Sequence, residues 1–191
     1  AFDEVIDIHR NFYGVVRIRE YGRDDPQQLE RVLVHGQVMH GQQFLAPQRR
    51  RQPTSYYTEA SGIGRLLRTL ADRPIEVGAV GLGAGTIATY GKPGDHYRFY
   101  EIDEAIVAAA HKHFSFIADS AATVDVAMGD GRLLLQYEAS RRFDVLVVDA
   151  FSGDSIPVHL LTREAIELYR QRLKPGGVIA LHVSNSHLDL R

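Results

Sequence analysis

Four short segments carry residues whose types and spacing could do chemistry. Gly81-Leu82-Gly83-Ala84-Gly85-Thr86 follows the apolar run 75–80. Glycines there let backbone approach a ligand closely while the next helix offers its N-terminal N–H groups, although a ligand-free strand-to-helix turn has the same composition. A dinucleotide fingerprint would need Gly or Ala where Thr86 stands, so NAD is disfavoured. Glu101-Ile102-Asp103 lies about 20 positions beyond Gly81, where a carboxylate can accept bonds from both ribose hydroxyls. Either acid could instead cap the following helix; Asp103 suits the cap better, which leaves Glu101, with Ile102 beside it, for the sugar. Gly129-Asp130-Gly131 is a short acidic turn whose Asp could accept from an adenine amino group, a plain turn being the alternative. Asp149 follows Val147-Val148 and precedes a Gly/Ser/Pro loop, 150–157. An acid at a strand end before a loop able to close over a ligand is a candidate general base; accepting loop N–H groups is its alternative role.

These residues must be positioned by the elements around them. Residues up to about Phe44 alternate with the period of strands, which predicts a small antiparallel β-domain over 1–46. The polar stretch 46–53, with two prolines and Arg49, Arg50 and Arg51, reads as a linker and solvated loop. From residue 54 to 191 helices and strands alternate: helix over 55–71, strand 75–80, strand 96–100, helix 104–113, strand 123–128, helix 132–138, strand 143–148, helix 162–173 and strand 178–183. Repeated βα units of this kind predict a parallel sheet with helices on both faces, and in such a sheet ligands bind beyond the carboxyl ends of the strands. The four chemical segments all stand at such ends.

Composition narrows the classes. The 191 residues are 45% hydrophobic and 24% charged, with no Cys or Trp. That profile excludes disordered, collagenous and disulfide-stapled chains, and the lack of Cys removes thiol catalysis, thiolate zinc sites and Fe–S clusters. A formal net charge of -2 favours neither nucleic acid nor an anionic membrane surface. No apolar run of about 18 residues and no secretory leader pattern is present, so a cytoplasmic setting without membrane insertion is expected. Nine histidines include one close pair, His111 and His113, but i,i+2 positions on a helix point to different faces, and no metal is expected. The chain opens at Ala1 directly into strand-like sequence, as a fragment of a longer polypeptide or a processed chain would.

Together these residues resemble the polyamine aminopropyltransferases, the spermidine synthases and spermidine synthase-like proteins, over nearly the whole chain. The resemblance implies an α/β class I methyltransferase-like Rossmann fold behind a small antiparallel β-domain. Folds of that class continue with two further strands, so the 191 residues are expected to be most of an enzyme rather than all of it. It further implies that Gly81, Gly83, Gly85 and Glu101, with Ile102, hold the nucleoside of decarboxylated S-adenosylmethionine, that Asp130 and Gly131 meet its adenine, and that Asp149 accepts the proton of the attacking amine. Tyr57-Thr58-Glu59 is similar to the family's Tyr-His-Glu segment, which places Tyr57 in the acceptor pocket. The co-substrate is thus decarboxylated S-adenosylmethionine or S-adenosylmethionine, no group is held permanently, and the partners are a small-molecule amine and a second copy in a homodimer. Four positions depart from the family pattern. Ala84 and Ser152 stand where acids are usual, with Asp154 the substitute for the latter, and Met39 and Gly14 stand where glutamines are usual. The loss of acid at Ala84 keeps an S-adenosylmethionine-dependent methyltransferase as an alternative, and a non-catalytic nucleoside-binding module is a third.

Overall fold

The computed structural model describes residues 4–150 and 157–182. Two sheets succeed each other along the chain. The first is an antiparallel meander of β1 (Glu4–Asn11), β2 (Gly14–Tyr21), β3 (Glu30–His35) and β4 (Val38–Phe44), paired in sequence order. The inward positions of β2 and β3, among them Val16, Ile18 and Leu33, are fully buried, which is why a period of two was legible there.

The second sheet is parallel, in the order β7-β6-β5-β8-β9, from β5 (Glu76–Val80), β6 (His96–Glu101), β7 (Thr123–Met128), β8 (Phe143–Val148) and β9 (Leu173–Leu181). Its helices are α1 (Gly62–Thr69), α2 (Glu104–His113), α3 (Gly131–Tyr137) and α4 (Arg163–Gln171). β8 is buried at every position because both of its faces are covered. Val145 and Val147 pack on one face with Val77, Phe99 and the β2–β3 side chains. Leu146 and Val148 pack on the other with Tyr100, Leu135 and Tyr169. One core therefore spans both sheets. The strand order reverses between β5 and β8, and a crevice opens at that switch point.

Three local expectations change. The helix expected over 55–71 is a single 3₁₀ turn, Ser55–Tyr57, followed by α1, which starts only where the Ser61 side chain accepts from Gly64 N. The helix expected after the glycine turn is a five-residue 3₁₀ segment, Thr86–Tyr90. Lys174 to Gly177 belongs to β9, as an irregularity between its pairings at Leu173 and Val178. Two of the three arginines of 46–53 are also tied down: Arg50 pairs with Asp119 at 2.5 Å and the Arg49 guanidinium lies 3.3 Å from the Phe44 ring centroid. Ser152 and Asp154 lie outside the described residues.

Candidate active site

A cavity of about 310 Å³ opens at the switch point. It is lined by the glycine turn, Glu101, Ile102 and Asp103, the turn at Asp130, Asp149 and, from the antiparallel sheet, Tyr13, His35 and His40. Every described residue expected on the nucleoside side except Gly85 lines this one space, as do Tyr57 and Asp149.

The glycine turn is shaped by its protein neighbours on both sides. Gly81 has φ +100°, and a Cβ there would stand 2.3 Å from the Asp149 carbonyl oxygen; Gly83 has φ +54°, and its Cβ would stand 2.4 Å from that of His40. Only glycine lets the turn pass between β8 and β4. The Ala84 N–H donates to the same His40 carbonyl at 3.3 Å, so the wall supplied by β4 is hydrogen-bonded to the turn.

Glu101 is not left free by the cap. Its two oxygens accept from the backbone N–H groups of Leu82 (2.9 Å) and Asp103 (3.0 Å), which pins the glycine turn to the end of β6. Burial pushes its carboxyl above the usual range, against the pull of those N–H bonds. Each oxygen keeps a further lone pair for a ligand. Asp103 caps α2 through Ala105 N at 2.8 Å, as expected, and Asn11 of β1 donates to the same oxygen at 2.5 Å. Its second oxygen is buried and, among the described residues, unpartnered. Asp130 caps α3 through Leu133 N (2.9 Å), and its other oxygen meets His159 Nε2 at 2.9 Å. It lines the cavity as well, so capping α3 does not remove it from that space.

Asp149 is nearly enclosed, its side chain 8% exposed. Tyr57 donates its hydroxyl to Oδ2, and His182 Nδ1 lies 2.5 Å from Oδ1. Burial first, then the charge of Asp149, holds the Tyr57 phenol far above its ordinary range, so it stays protonated and serves as a donor. The Tyr56 ring lies 4.1 Å from that of His182, centroid to centroid. Across the cavity, burial and then the neighbouring His35 lower the His40 imidazole to about 4, which leaves it neutral at physiological pH.

Sequence reasoning passed over His182, His40 and Tyr56. His182 had a signal, because it follows a parallel strand as Asp149 does. Reading that strand on to 183 hid it. His40 and Tyr56 had none, since they reach the site only by the packing of β4 and of the 3₁₀ turn against the parallel sheet. Among the described residues no group of His, Asp and Glu is arranged to hold a metal ion, and no helix is long and apolar enough to cross a membrane.

Residues 62–190 match the family model for the spermine/spermidine synthase domain. A polyamine aminopropyltransferase of Vibrio vulnificus is 30% identical over 114 residues, 56% of this chain and 37% of that one. A probable polyamine aminopropyl transferase of Bifidobacterium longum is 28% identical over 158 residues, 81% of this chain and 33% of that one. The chain thus spans about a third of the length of the curated relatives it matches. Among solved structures, a probable spermidine synthase from Corynebacterium glutamicum superposes over 93% of this chain and 63% of its own, at TM-score 0.72 and 19% identity. Human methyltransferase-like protein 13 in complex with SAH superposes over 66% of this chain and 64% of its own, at 0.56 and 21%. These two likenesses show the fold: class I methyltransferase-like, preceded by the antiparallel sheet.

Proposed function

Because the chain belongs to the spermine/spermidine synthase domain family, matched over residues 62–190, we propose that it transfers an aminopropyl group from decarboxylated S-adenosylmethionine to a small amine. The observation that carries this reading is the convergence in one cavity of the glycine turn, Glu101, Asp130 and an enclosed Asp149. In the reading, Glu101, with Ile102 beside it, receives the ribose hydroxyls, Asp130 and Gly131 border the adenine, and the turn at Gly81, Gly83 and Gly85 lets the backbone approach the donor closely. An amine is a nucleophile only when unprotonated, so Asp149 attracts the ammonium and takes its proton. The nitrogen then attacks the carbon next to the sulfonium. As the C–N bond forms the C–S bond breaks, its electron pair goes to sulfur, and a neutral thioether leaves. What the protein adds beyond the base is alignment of nitrogen, carbon and sulfur.

Asp149→Asn is expected to leave affinity for 5′-methylthioadenosine nearly unchanged while turnover falls by about a hundredfold or more. Calorimetry and mass-spectrometric detection of the aminopropylated amine measure the two. Unchanged turnover would remove Asp149 from the mechanism.

One observation favours a second reading, methyl transfer from S-adenosylmethionine. Ala84 is 1% exposed and packs on Gly41 of β4, where an added Cβ would stand 2.4 Å from its own. That position offers neither an acid to a donor's ammonium nor room for one. Titration with the two donors separates the readings: tighter binding of the decarboxylated donor supports aminopropyl transfer, and tighter binding of the carboxylated one supports methyl transfer. Binding of a nucleoside without turnover of either donor would leave a binding module.

A further inference from the structure

The proton transfer proposed above uses Asp149 and leaves the histidine beside it without a role. His182 follows β9, and its backbone N–H donates to the Val148 carbonyl at 3.0 Å, so it stands level with Asp149 at the carboxyl end of the sheet. Its Nδ1 lies 2.5 Å from Asp149 Oδ1, where an imidazole protonated at Nδ1 donates to the carboxylate. The other oxygen is held by Tyr57, whose buried phenol stays protonated.

A carboxylate on its own turns freely about its terminal torsion, which is broad and roughly two-fold. One donor on each oxygen removes that freedom. The imidazole is steadied in turn: the Tyr56 ring lies over it at 4.1 Å, inclined by 34°. Tyr56 and Tyr57 come from the same 3₁₀ turn, Ser55–Tyr57. This turn therefore supplies both the second donor and the ring that braces the first.

We propose that His182 is a positioning residue for the amine acceptor, clamping Asp149 from the β9 side while Tyr57 clamps it from the other, so that the lone pairs left on its two oxygens face the cavity. The proposal rests on the amine-transfer reading for the identity of what binds there. Across the cavity His40 also feels the charge of Asp149, and burial keeps it neutral.

Two substitutions separate the hydrogen bond from the ring packing. His182→Phe keeps a ring against Tyr56 and removes the donor; His182→Asn places its amide nitrogen where Nδ1 stands and removes the ring. The probe is 1,4-diaminobutane, with n-butylamine as a second amine, titrated calorimetrically into the full chain saturated with 5′-methylthioadenosine. His182→Phe is expected to weaken amine binding about tenfold, the scale of one charge-assisted hydrogen bond, and His182→Asn to stay within about threefold of the parent. Affinity for 5′-methylthioadenosine should be unchanged in both, which verifies folding and the nucleoside half; each variant decides by itself if the other fails that control. Parent-like amine binding in His182→Phe, or loss in His182→Asn, overturns the clamp while leaving amine transfer standing. A parent chain that binds the thioadenosine but neither amine overturns the amine reading and the clamp with it.

Discussion

Asp149 and Glu101 are both carboxylates at strand ends, yet their surroundings give them different work. Asp149 is held by side chains, Tyr57 and His182, and so is oriented toward whatever enters the cavity. Glu101 is held by backbone, the N–H groups of Leu82 and Asp103, and so ties the glycine turn to β6. Glu101→Gln would place an amide N–H against one of those donors. Loss of about 1–3 kcal/mol of stability is expected, read as a lower urea midpoint, together with weaker binding of 5′-methylthioadenosine by calorimetry. A variant with parental stability and nucleoside affinity would show that the two backbone bonds do not need the carboxylate.

The glycine turn meets β4 and the end of β8 along backbone. β4 and the glycine turn approach so closely that Gly83 cannot carry a Cβ without meeting the His40 carbonyl. Gly83→Ala combines that clash with a left-handed φ, and a cost of about 1–3 kcal/mol is expected in urea unfolding. Asp130→Ala acts at the start of α3, where it removes the cap on Leu133 N and the partner of His159. About 1 kcal/mol of stability should be lost through the cap. If Asp130 also meets the adenine, nucleoside binding weakens along with it; unchanged affinity would confine the residue to capping.

Across the whole molecule the antiparallel sheet is fastened to the parallel one by charged and polar ties over a shared core. Asp7 of β1 meets Lys112 (2.7 Å) and His113 (2.6 Å) at the end of α2, and Gln43 of β4 exchanges bonds with Ser115. Asp119 is paired with Arg50. Lys112 first and then His113 hold the Asp7 carboxyl well below its ordinary 3.8, and Arg50 lowers that of Asp119. Both carboxyls ionise more readily in the folded chain than in the unfolded one. Their stabilisation is therefore complete above the ordinary value and is lost as pH falls below it toward the folded values. Urea midpoints measured from pH 7 down to pH 3 should fall, and the Asp7→Asn, Asp119→Asn double variant should start lower at pH 7 and fall less steeply. An equally steep fall would mean that other carboxylates govern acid sensitivity.

What the sequence determined by itself was the set of elements and the ends at which chemistry stands. The period of two in β2 and β3, the largely apolar runs of β5 and β8, and the cap at Asp103 are local, short-range signals. They survive folding because burial and capping act within an element. The glycine turn, Glu101, Asp130 and Asp149 could be picked out because a parallel sheet brings its strand ends to one edge. Only the tertiary structure decided what those residues touch. Tyr57 reaches Asp149 and Tyr56 reaches His182 because a turn read as continuous helix breaks at Ser61, and His182 reaches Asp149 because β9 ends at Leu181 beside β8. His40 closes the far wall because β4 packs on the glycine turn. The bonds of Tyr57 and His182 to Asp149 join residues 92 and 33 positions apart in the chain, set by how the two sheets share one core, and no local period encodes such a distance.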